Sequence, residues 1–135
     1  MAQDSLTLPA DLAGRIEAAG LEFMARFLEV AIERRPDLTE ALAELGHVYT
    51  LLGRHDEGLE VDRRLAQLHP SNPTVHYNLA CSLALLLKKD AALDALEKAA
   101  DLGYDDADFM IQDDDLCAVR EEERFRTLVR RINRR

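Results

Sequence analysis

The residues that could do chemistry are few: four histidines, two cysteines and a cluster of aspartates towards the C-terminal end. A zinc site on helices needs ligands at short, regular spacing, such as two histidines four residues apart. His47 and His55 are eight residues apart, and His69 and His76 stand on either side of a proline-containing break. These spacings predict structural histidines and no metal site.

The two cysteines, Cys81 and Cys117, are 36 residues apart and form no Cys-x-x-Cys pair. A disulfide between them is one interpretation. Two free, buried thiols are favoured instead, because the first residues show no secretory signal.

The run Asp113-Asp114-Asp115 raises the question of a calcium loop. Such a loop has alternating acidic ligands, a central glycine and a closing glutamate, and this segment has none of these. The prediction is a solvated loop in which Asp115 caps the following turn.

No catalytic motif is found in the sequence. Gly14 and Gly20 are isolated, so there is no glycine-rich phosphate loop, and no serine or threonine stands in a nucleophile elbow. The chain is therefore predicted not to be an enzyme and to need no cofactor.

The elements that would position any site are predicted to be helices. Ala, Leu, Glu and Arg dominate, whereas aromatic residues make up only 5%. A net charge of −9 argues against nucleic-acid binding, because an acidic surface repels phosphates. The longest purely apolar run, Leu83 to Leu87, is far too short to cross a membrane. A soluble, cytoplasmic, all-α protein without a nucleic-acid or membrane partner is predicted.

The charge is unevenly distributed along the chain. Residues 120–135 hold seven arginines and three glutamates, a net charge of +4, whereas residues 1–119 have a net charge of −13. The basic end is interpreted either as a binding tail or, more simply, as cations near a helix C-terminus, where the helix dipole favours them.

A repeat of 34 residues organises the middle of the chain. Small and apolar residues recur at equivalent positions, which indicates repeated pairs of helices. Gly46 and Ala80 are predicted to be small because neighbouring helices cross closely there. The aligned residues are Leu42, Leu45, Gly46, Tyr49, Gly58, Leu65 and Pro70 in the first unit, and His76, Leu79, Ala80, Leu83, Ala92, Ala99 and Tyr104 in the second.

The seven residues of the first unit resemble the tetratricopeptide repeat. Its signature is a large residue, Leu-Gly, an aromatic residue, a small residue in the second helix and a closing proline. The second unit is looser, with Leu83 for the aromatic residue, Leu87 at the turn between helices and Tyr104 for the proline. The first unit departs at Asp62, where the family usually buries a large ring.

The resemblance implies a right-handed α-solenoid of antiparallel helix hairpins that forms a single domain over residues 1–135. It places a leading helix or partial repeat at 9–36, the first repeat at 39–70, the second repeat at 73–104 and a capping segment at 105–135. Within the capping segment, the run from Asp115 to Leu128 is similar to a closing segment of bacterial tetratricopeptide proteins.

The helix ends are predicted from capping residues and apolar stripes. Asp56 and Asp90 are the expected N-caps of the second helix of each hairpin. A helix over 20–35 either continues a helix that begins at Pro9 or follows a separate short one. Its apolar residues are Phe23, Phe27, Val30 and Ala31.

The C-terminal segment is predicted to close the solenoid with apolar residues and a last helix near 121–133. Phe109, Leu116 and Val119 are expected to be apolar plugs in an irregular stretch. The last helix presents Phe125, Leu128, Val129 and Ile132 on one side.

The resemblance also implies a groove on the concave face, lined by the first helix of each hairpin. The ring of Tyr77 would supply contact area there, and the amide of Asn78 could bond an extended backbone. The alternative is that Tyr77 covers core and Asn78 faces water. The residues that the repeat places in the groove are Ala43, His47 and Thr50 from one unit and Tyr77, Asn78, Cys81 and Ala84 from the next.

Some tetratricopeptide proteins hold a C-terminal carboxylate with Lys, Arg and Asn side chains. Asn78 matches one of these positions, but Ala43 and His47 occupy the places of the basic residues. A basic or apolar segment is therefore the favoured ligand.

The predicted function is a protein-interaction module, an adaptor or scaffold that binds a peptide or helix of a protein partner in the groove. The alternative is a secretion chaperone of the same repeat type, which would hold an unfolded partner segment. Two copies could also pair through Leu6, Leu8 and Ile111, which would make the chain a homodimer.

Overall fold

The structure is a computed structural model that describes residues 10–135. It is all-α, as predicted, with no strand among the residues that it describes. The helices are α1 (Ala10–Arg34), α2 (Thr39–Leu51), α3 (His55–Leu68), α4 (Pro73–Leu85), α5 (Lys89–Asp101), α6 (Ala107–Gln112) and α7 (Glu123–Asn133), with a 3₁₀ turn at Asp114–Leu116 between α6 and α7.

Helices α2 and α3 form one hairpin, and α4 and α5 form the next. The predicted close crossing at Gly46 is confirmed, because a Cβ atom on Gly46 would lie 3.3 Å from Cγ1 of Val61 on α3. Ala80 on α4 is completely buried in the same way. The small residues of the repeat therefore mark where the helices approach each other.

The two hairpins turn at equivalent positions, with different residues. Gly53 has a φ of 73° between α2 and α3, and Leu87, 34 residues later, has a φ of 59° between α4 and α5. In the left-handed region of φ, a Cβ atom clashes with the backbone and raises the energy of the residue. Glycine has no Cβ atom and avoids this cost. Leu87 stands where the first hairpin has glycine, so the second turn keeps the same shape but is strained.

The predicted N-caps are wrong. Helix α3 begins at His55 and α5 at Lys89, so Asp56 and Asp90 lie in the first turn and their side chains cap nothing. The reason is that the tight hairpin turns bring Arg54 and Lys88 to the cap positions. In the first turn, the negative charges of the two aspartates still interact favourably with the positive end of the helix dipole.

Side-chain caps occur instead where the chain enters α4, α6 and the 3₁₀ turn. Asn72 accepts hydrogen bonds from the backbone N–H groups of Thr74 and Val75 at 2.9 and 3.3 Å. Asp113 accepts one from the N–H of Asp115 at 3.0 Å. The prediction that Asp115 is the cap is thus wrong by two residues.

Helix α1 is continuous from Ala10 to Arg34, which decides between the two alternatives for residues 9–35. Its buried side consists of Ala25, Leu28 and Ile32, which pack with α2 and α3. The helix was predicted from the apolar residues Phe23, Phe27 and Val30, and the side that carries them is exposed. The reason is that α2 contacts α1 from one direction only. We call the large residues of the exposed side the α1 stripe: Ile16, Phe23, Met24, Phe27 and Val30.

Of the three residues through which two copies could pair, the structure describes one. Leu6 and Leu8 lie outside the described residues, as does Pro9. Ile111 is exposed on α6. Pairing of two copies stays a prediction.

The buried apolar residues form two cores. The N-terminal core joins α1, α2 and one side of α3. The C-terminal core joins Leu59 of α3 with the buried residues of α4, α5, α6, the 3₁₀ turn and α7. The two cores meet where α3 packs against α4.

The C-terminal segment closes the second core largely as predicted. Leu116 and Val119 are completely buried, and α7 buries Phe125, Leu128 and Ile132. Phe109 does not plug the core, since it is 54% exposed on the short helix α6, whose buried residues are Ala107 and Met110.

Two arginines of the basic C-terminal end hold α7 to α5. Arg124 is 2.6 Å from Asp94, and Arg131 is 2.8 Å from Asp101. These ion pairs account for part of the basic segment without a bound partner.

Two further expectations concern membranes and thiols. Within residues 10–135, no helix has the length and apolar character that crossing a membrane requires. Both cysteines are free thiols, but only Cys81 is buried. Cys117 is exposed because it follows the 3₁₀ turn on the side away from the core, so the prediction of two buried thiols is half wrong.

Candidate functional site

A cavity of about 260 Å³ lies between α2 and α4, and α3 and the segment from α6 to the 3₁₀ turn complete its wall. We call it the α2/α4 cavity. Its lining residues are Ala43, Gly46, His47, Thr50, Asp62, Leu65, Tyr77, Asn78, Cys81, Ser82, Leu85, Phe109, Asp113 and Asp115.

Six of the seven residues that the repeat placed in the groove line this cavity: Ala43, His47, Thr50, Tyr77, Asn78 and Cys81. The seventh, Ala84, does not. It is 1% exposed and belongs to the C-terminal core. Leu85 lines the cavity instead, because the step of four residues from Cys81 stays on that side of α4 while Ala84 turns towards the core.

Tyr77 is a wall of the cavity rather than an open contact surface. Its ring is 4% exposed and stacks on Tyr104, with 4.4 Å between ring centroids and an interplanar angle of 5°. Its hydroxyl donates a hydrogen bond to Oδ2 of Asp113 at 2.6 Å. Most of the Tyr77 ring therefore covers the core, which was the alternative to its role as a contact surface in the groove.

The open part of the lining includes three exposed side chains with a polar or aromatic group. His47 projects from α2 and Asn78 from α4, and both are exposed. Phe109 stands on α6 with its ring centroid 6.0 Å from that of Tyr77. An imidazole, an amide and an aromatic ring can together bond a polypeptide backbone and cover an apolar stem.

Asp113 connects the C-terminal segment to α4. In addition to the Tyr77 hydroxyl, its Oδ2 accepts a hydrogen bond from the thiol of Cys81 at 3.7 Å. Burial and the nearby carboxylates of Asp113 and Asp115 raise the pKa of the Cys81 thiol, so the thiol stays protonated. Burial, reinforced by Asp113, also raises the pKa of Asp115.

Cys81, Asp113 and Asp115 offer three potential metal ligands within 4.8 Å of one another. A metal would need the thiolate, and the raised pKa of Cys81 opposes its formation. The group is better explained by the hydrogen bonds through Asp113. None of the histidines belongs to this group, the one such cluster in the described part of the chain.

Two histidines have structural partners instead. A ring nitrogen of His69 lies 2.7 Å from the Thr39 hydroxyl, and one of His76 lies 2.7 Å from the carbonyl of Pro70.

Asp62 is the cavity residue with the least ordinary surroundings. It is 8% exposed on α3, and Ser82 of α4 donates a hydrogen bond to its Oδ2. Burial raises the pKa of its carboxyl to about 6, although the hydrogen bond from Ser82 acts in the opposite direction. The sequence singled out Asp62 only as a departure from the repeat.

Sequence reasoning also missed seven further lining residues: Gly46, Leu65, Ser82, Leu85, Phe109, Asp113 and Asp115. The last three lie beyond the second repeat, where no register predicts which way a side chain points. For Asp62, the one signal in the sequence that pointed to an unusual site was a polar residue at a repeat position that is normally apolar.

The comparisons with known proteins agree with this architecture. No family model matches the chain. Among curated proteins, 76 residues are 38% identical to the Arabidopsis thaliana protein CTR9 homolog, covering 55% of this chain and 7% of that protein. A second match, 27% identical over 128 residues, is to a chloroplastic protein of Arabidopsis thaliana, covering 90% of this chain and 36% of that protein. The chain thus spans a small part of the first relative and about a third of the second.

Two solved structures are similar over most of the chain. The crystal structure of MamA superposes with a TM-score of 0.69 and 19% identity, covering 96% of this chain and 73% of that one. The structure of MamA MSR-1 C2 has a TM-score of 0.64 and 19% identity, covering 88% and 71%. At this identity the likeness shows the fold.

Proposed function

The chain has the helical-hairpin solenoid fold of the tetratricopeptide type, and on that premise we propose that it is a non-enzymatic adaptor or scaffold. It binds a peptide or helix of a protein partner along the α2/α4 cavity. The observation that carries this proposal is that six residues from two repeats, which the repeat offset and the tetratricopeptide resemblance together place in the groove, line one cavity. A fold of this type generally serves as a protein-interaction scaffold.

The size and chemistry of the cavity favour a polypeptide over a small molecule. Small-molecule pockets are roughly 300–1,000 Å³, whereas this cavity is about 260 Å³ and opens beside exposed polar groups. It suits one side chain of a bound segment, with the Asn78 amide and the His47 ring available to the segment's backbone on either side.

The test compares partner capture by the wild-type chain and by a His47→Ala, Asn78→Ala double variant. Both side chains are exposed, so their removal leaves the core intact. Glu44→Ala is the matched control, since Glu44 is exposed on α2 and does not line the cavity.

A partner retained by the wild type and the Glu44 variant, and lost by the double variant, supports the proposal. Equal retention by all three proteins places the partner elsewhere on the surface and refutes it.

The secretion-chaperone alternative has one observation in its favour, the α1 stripe. Phe23 and Phe27 are each 64% exposed, and an exposed apolar surface suits an unfolded apolar segment. A Phe23→Ser, Phe27→Ser variant should then fail to keep such a segment soluble, whereas the His47→Ala, Asn78→Ala variant should still hold it. The reverse pattern would exclude the chaperone.

A further inference from the structure

Asp62 is a buried carboxyl group without a cation beside it. Its Oδ2 is hydrogen-bonded by Ser82, while Oδ1 accepts no hydrogen bond from the described residues. None of the ion pairs formed by residues 10–135 includes it. A buried carboxylate needs a partner charge or a proton, because its removal from water is costly. The described part of the chain offers Asp62 neither a Lys nor an Arg to supply that charge.

Two more carboxyl groups stand on the wall formed by the C-terminal segment. The carboxylate of Asp113 accepts hydrogen bonds from the hydroxyl of Tyr77 and the thiol of Cys81. The side chain of Asp115 accepts no hydrogen bond from the described residues, and its charged neighbours are Asp113, Asp114, His47 and His55. Among residues 10–135, no lysine or arginine lines the cavity, and His47 is its single basic residue. The cavity therefore has a strongly negative character.

The remaining wall is apolar and partly aromatic. Phe109 is 54% exposed, and Leu65 and Leu85 line the cavity with it. The side chains of lysine and arginine have an apolar stem and a charged end, and the stem packs well on such surfaces. An aromatic face also attracts the cation itself.

We infer that the α2/α4 cavity receives one basic side chain, a lysine or an arginine, from the bound partner segment. Its charged end would lie among Asp62 and Asp115, and its stem would lie against Phe109. This inference rests on the proposed function, because it names the chemistry of the segment that the adaptor binds.

The same contacts disfavour other occupants. An anionic segment would meet three carboxyl groups, and like charges across an interface oppose binding. A metal ion would have to displace the proton of the Cys81 thiol from its hydrogen bond to Asp113.

The binding of a cation is linked to the proton on Asp62. The unbound protein holds this proton up to about pH 6, and a cation beside the group favours the ionised form. The affinity for a basic side chain should therefore rise as the pH increases from about 5 to about 7.5. Asp115 contributes in the same direction, because burial raises the pKa of its carboxyl as well.

The test uses defined peptides on the full chain. An acetylated and amidated hexamer of alanine with one central lysine is compared with versions that carry arginine, norleucine or glutamate there. Binding is followed by NMR shifts of the backbone amides of His47, Asn78 and Leu85 at millimolar peptide.

The lysine and arginine peptides should bind at least about tenfold more tightly than the norleucine peptide, which corresponds to about 1.4 kcal/mol. The glutamate peptide should not bind. The variants Asp62→Asn and Asp115→Asn should each remove most of the preference for the basic peptides. Asp56→Asn on α3 is the control, because Asp56 is exposed and does not line the cavity.

The outcomes separate this inference from the proposed function. Equal binding of the lysine and norleucine peptides at the cavity overturns the basic-residue inference and leaves the groove in place. A preference that survives Asp62→Asn and Asp115→Asn overturns it as well. If no peptide shifts the cavity amides, the basic-residue inference fails, while the capture experiment with His47 and Asn78 decides the proposed function independently.

Discussion

The two end helices, α1 and α7, close the molecule to different degrees. Helix α7 buries Phe125, Leu128 and Ile132 in the C-terminal core, and Arg124 and Arg131 hold it to α5. Helix α1 is about twice as long, 25 residues against 11, but its aromatic residues are exposed.

The difference shows that an apolar stripe predicts a helix and leaves its burial undecided. Both helices have apolar residues at helical spacing. Helix α7 packs against both α5 and α6, whereas α1 packs mainly against α2. The neighbours of a helix decide which of its apolar residues are buried.

The largest expected effect compares one residue type at the two ends. Phe125 is 2% exposed and Phe27 is 64% exposed. Phe125→Ala should lower the free energy of unfolding by about 3–5 kcal/mol, because it empties a well-packed site. Phe27→Ala should change it by less than about 0.5 kcal/mol. Urea unfolding followed by circular dichroism measures both, and similar losses would mean that the α1 stripe is covered in solution.

The next prediction concerns the α3–α4 contact, where the two cores meet at Asp62 and Ser82. The folded pKa of Asp62 is about 6, above its value of about 3.9 in an unfolded chain. The folded state therefore binds this proton more tightly, and Asp62 favours folding below about pH 4, with the benefit lost as the pH rises through about 6.

Between about pH 4.5 and pH 7.5, the wild type should lose about 2 kcal/mol of unfolding free energy relative to Asp62→Asn. Chemical unfolding of both proteins at the two pH values measures this difference. A constant difference would show that Asp62 titrates normally and that the contact between the cores is open to water.

A smaller effect compares two tyrosines whose hydroxyls each donate to a carboxylate at 2.6 Å. Tyr49 donates to Glu29 in the N-terminal half, and Tyr77 donates to Asp113 in the C-terminal half. Tyr77→Phe should cost about 1.5 kcal/mol, because Asp113 also orients Cys81 and the 3₁₀ turn. Tyr49→Phe should cost about 0.5 kcal/mol, since Glu29 is half-buried and can bond water. Thermal unfolding of the two variants would contradict this order if Tyr49→Phe were the more damaging.

The smallest expected effect concerns the two hairpin turns. Leu87 has a φ of 59° and is 71% exposed, so Leu87→Gly should relieve strain without loss of packing and stabilise the protein by about 0.5–1 kcal/mol. Gly53→Ala, at a φ of 73°, should destabilise it by a similar amount. A destabilised Leu87→Gly variant would indicate that the Leu87 side chain has a contact in solution.

The repeat register was sufficient to predict the hairpins and six of the fourteen residues that line the cavity. Gly46 identified a helix crossing, and the same offset, taken with the tetratricopeptide resemblance, placed His47 and Asn78 where they line the cavity. These predictions succeeded because every residue within a repeat keeps its direction from one unit to the next.

The register could not predict features that depend on contacts outside the repeat. Phe109 and Asp113 follow the last unit, so the repeat pattern does not predict that they point towards the cavity. The pairing of Asp62 with Ser82 joins side chains on different hairpins, and a period in one dimension does not reveal such a pair. The exposure of Phe23 and Phe27 depends on the absence of a neighbour on that side of α1 among the described residues.

The unequal ends have a consequence for self-association. The arginine-bearing surface of α7 offers no apolar area to a second molecule, whereas the α1 stripe does. Two copies that met through α1 would use the same patch in both molecules, which gives a closed, two-fold symmetric pair with no free patch for a third copy. Growth into a fibre would need two complementary patches on each molecule, which such a two-fold contact does not provide. Light scattering should therefore find a mass that stops at two chains as concentration rises.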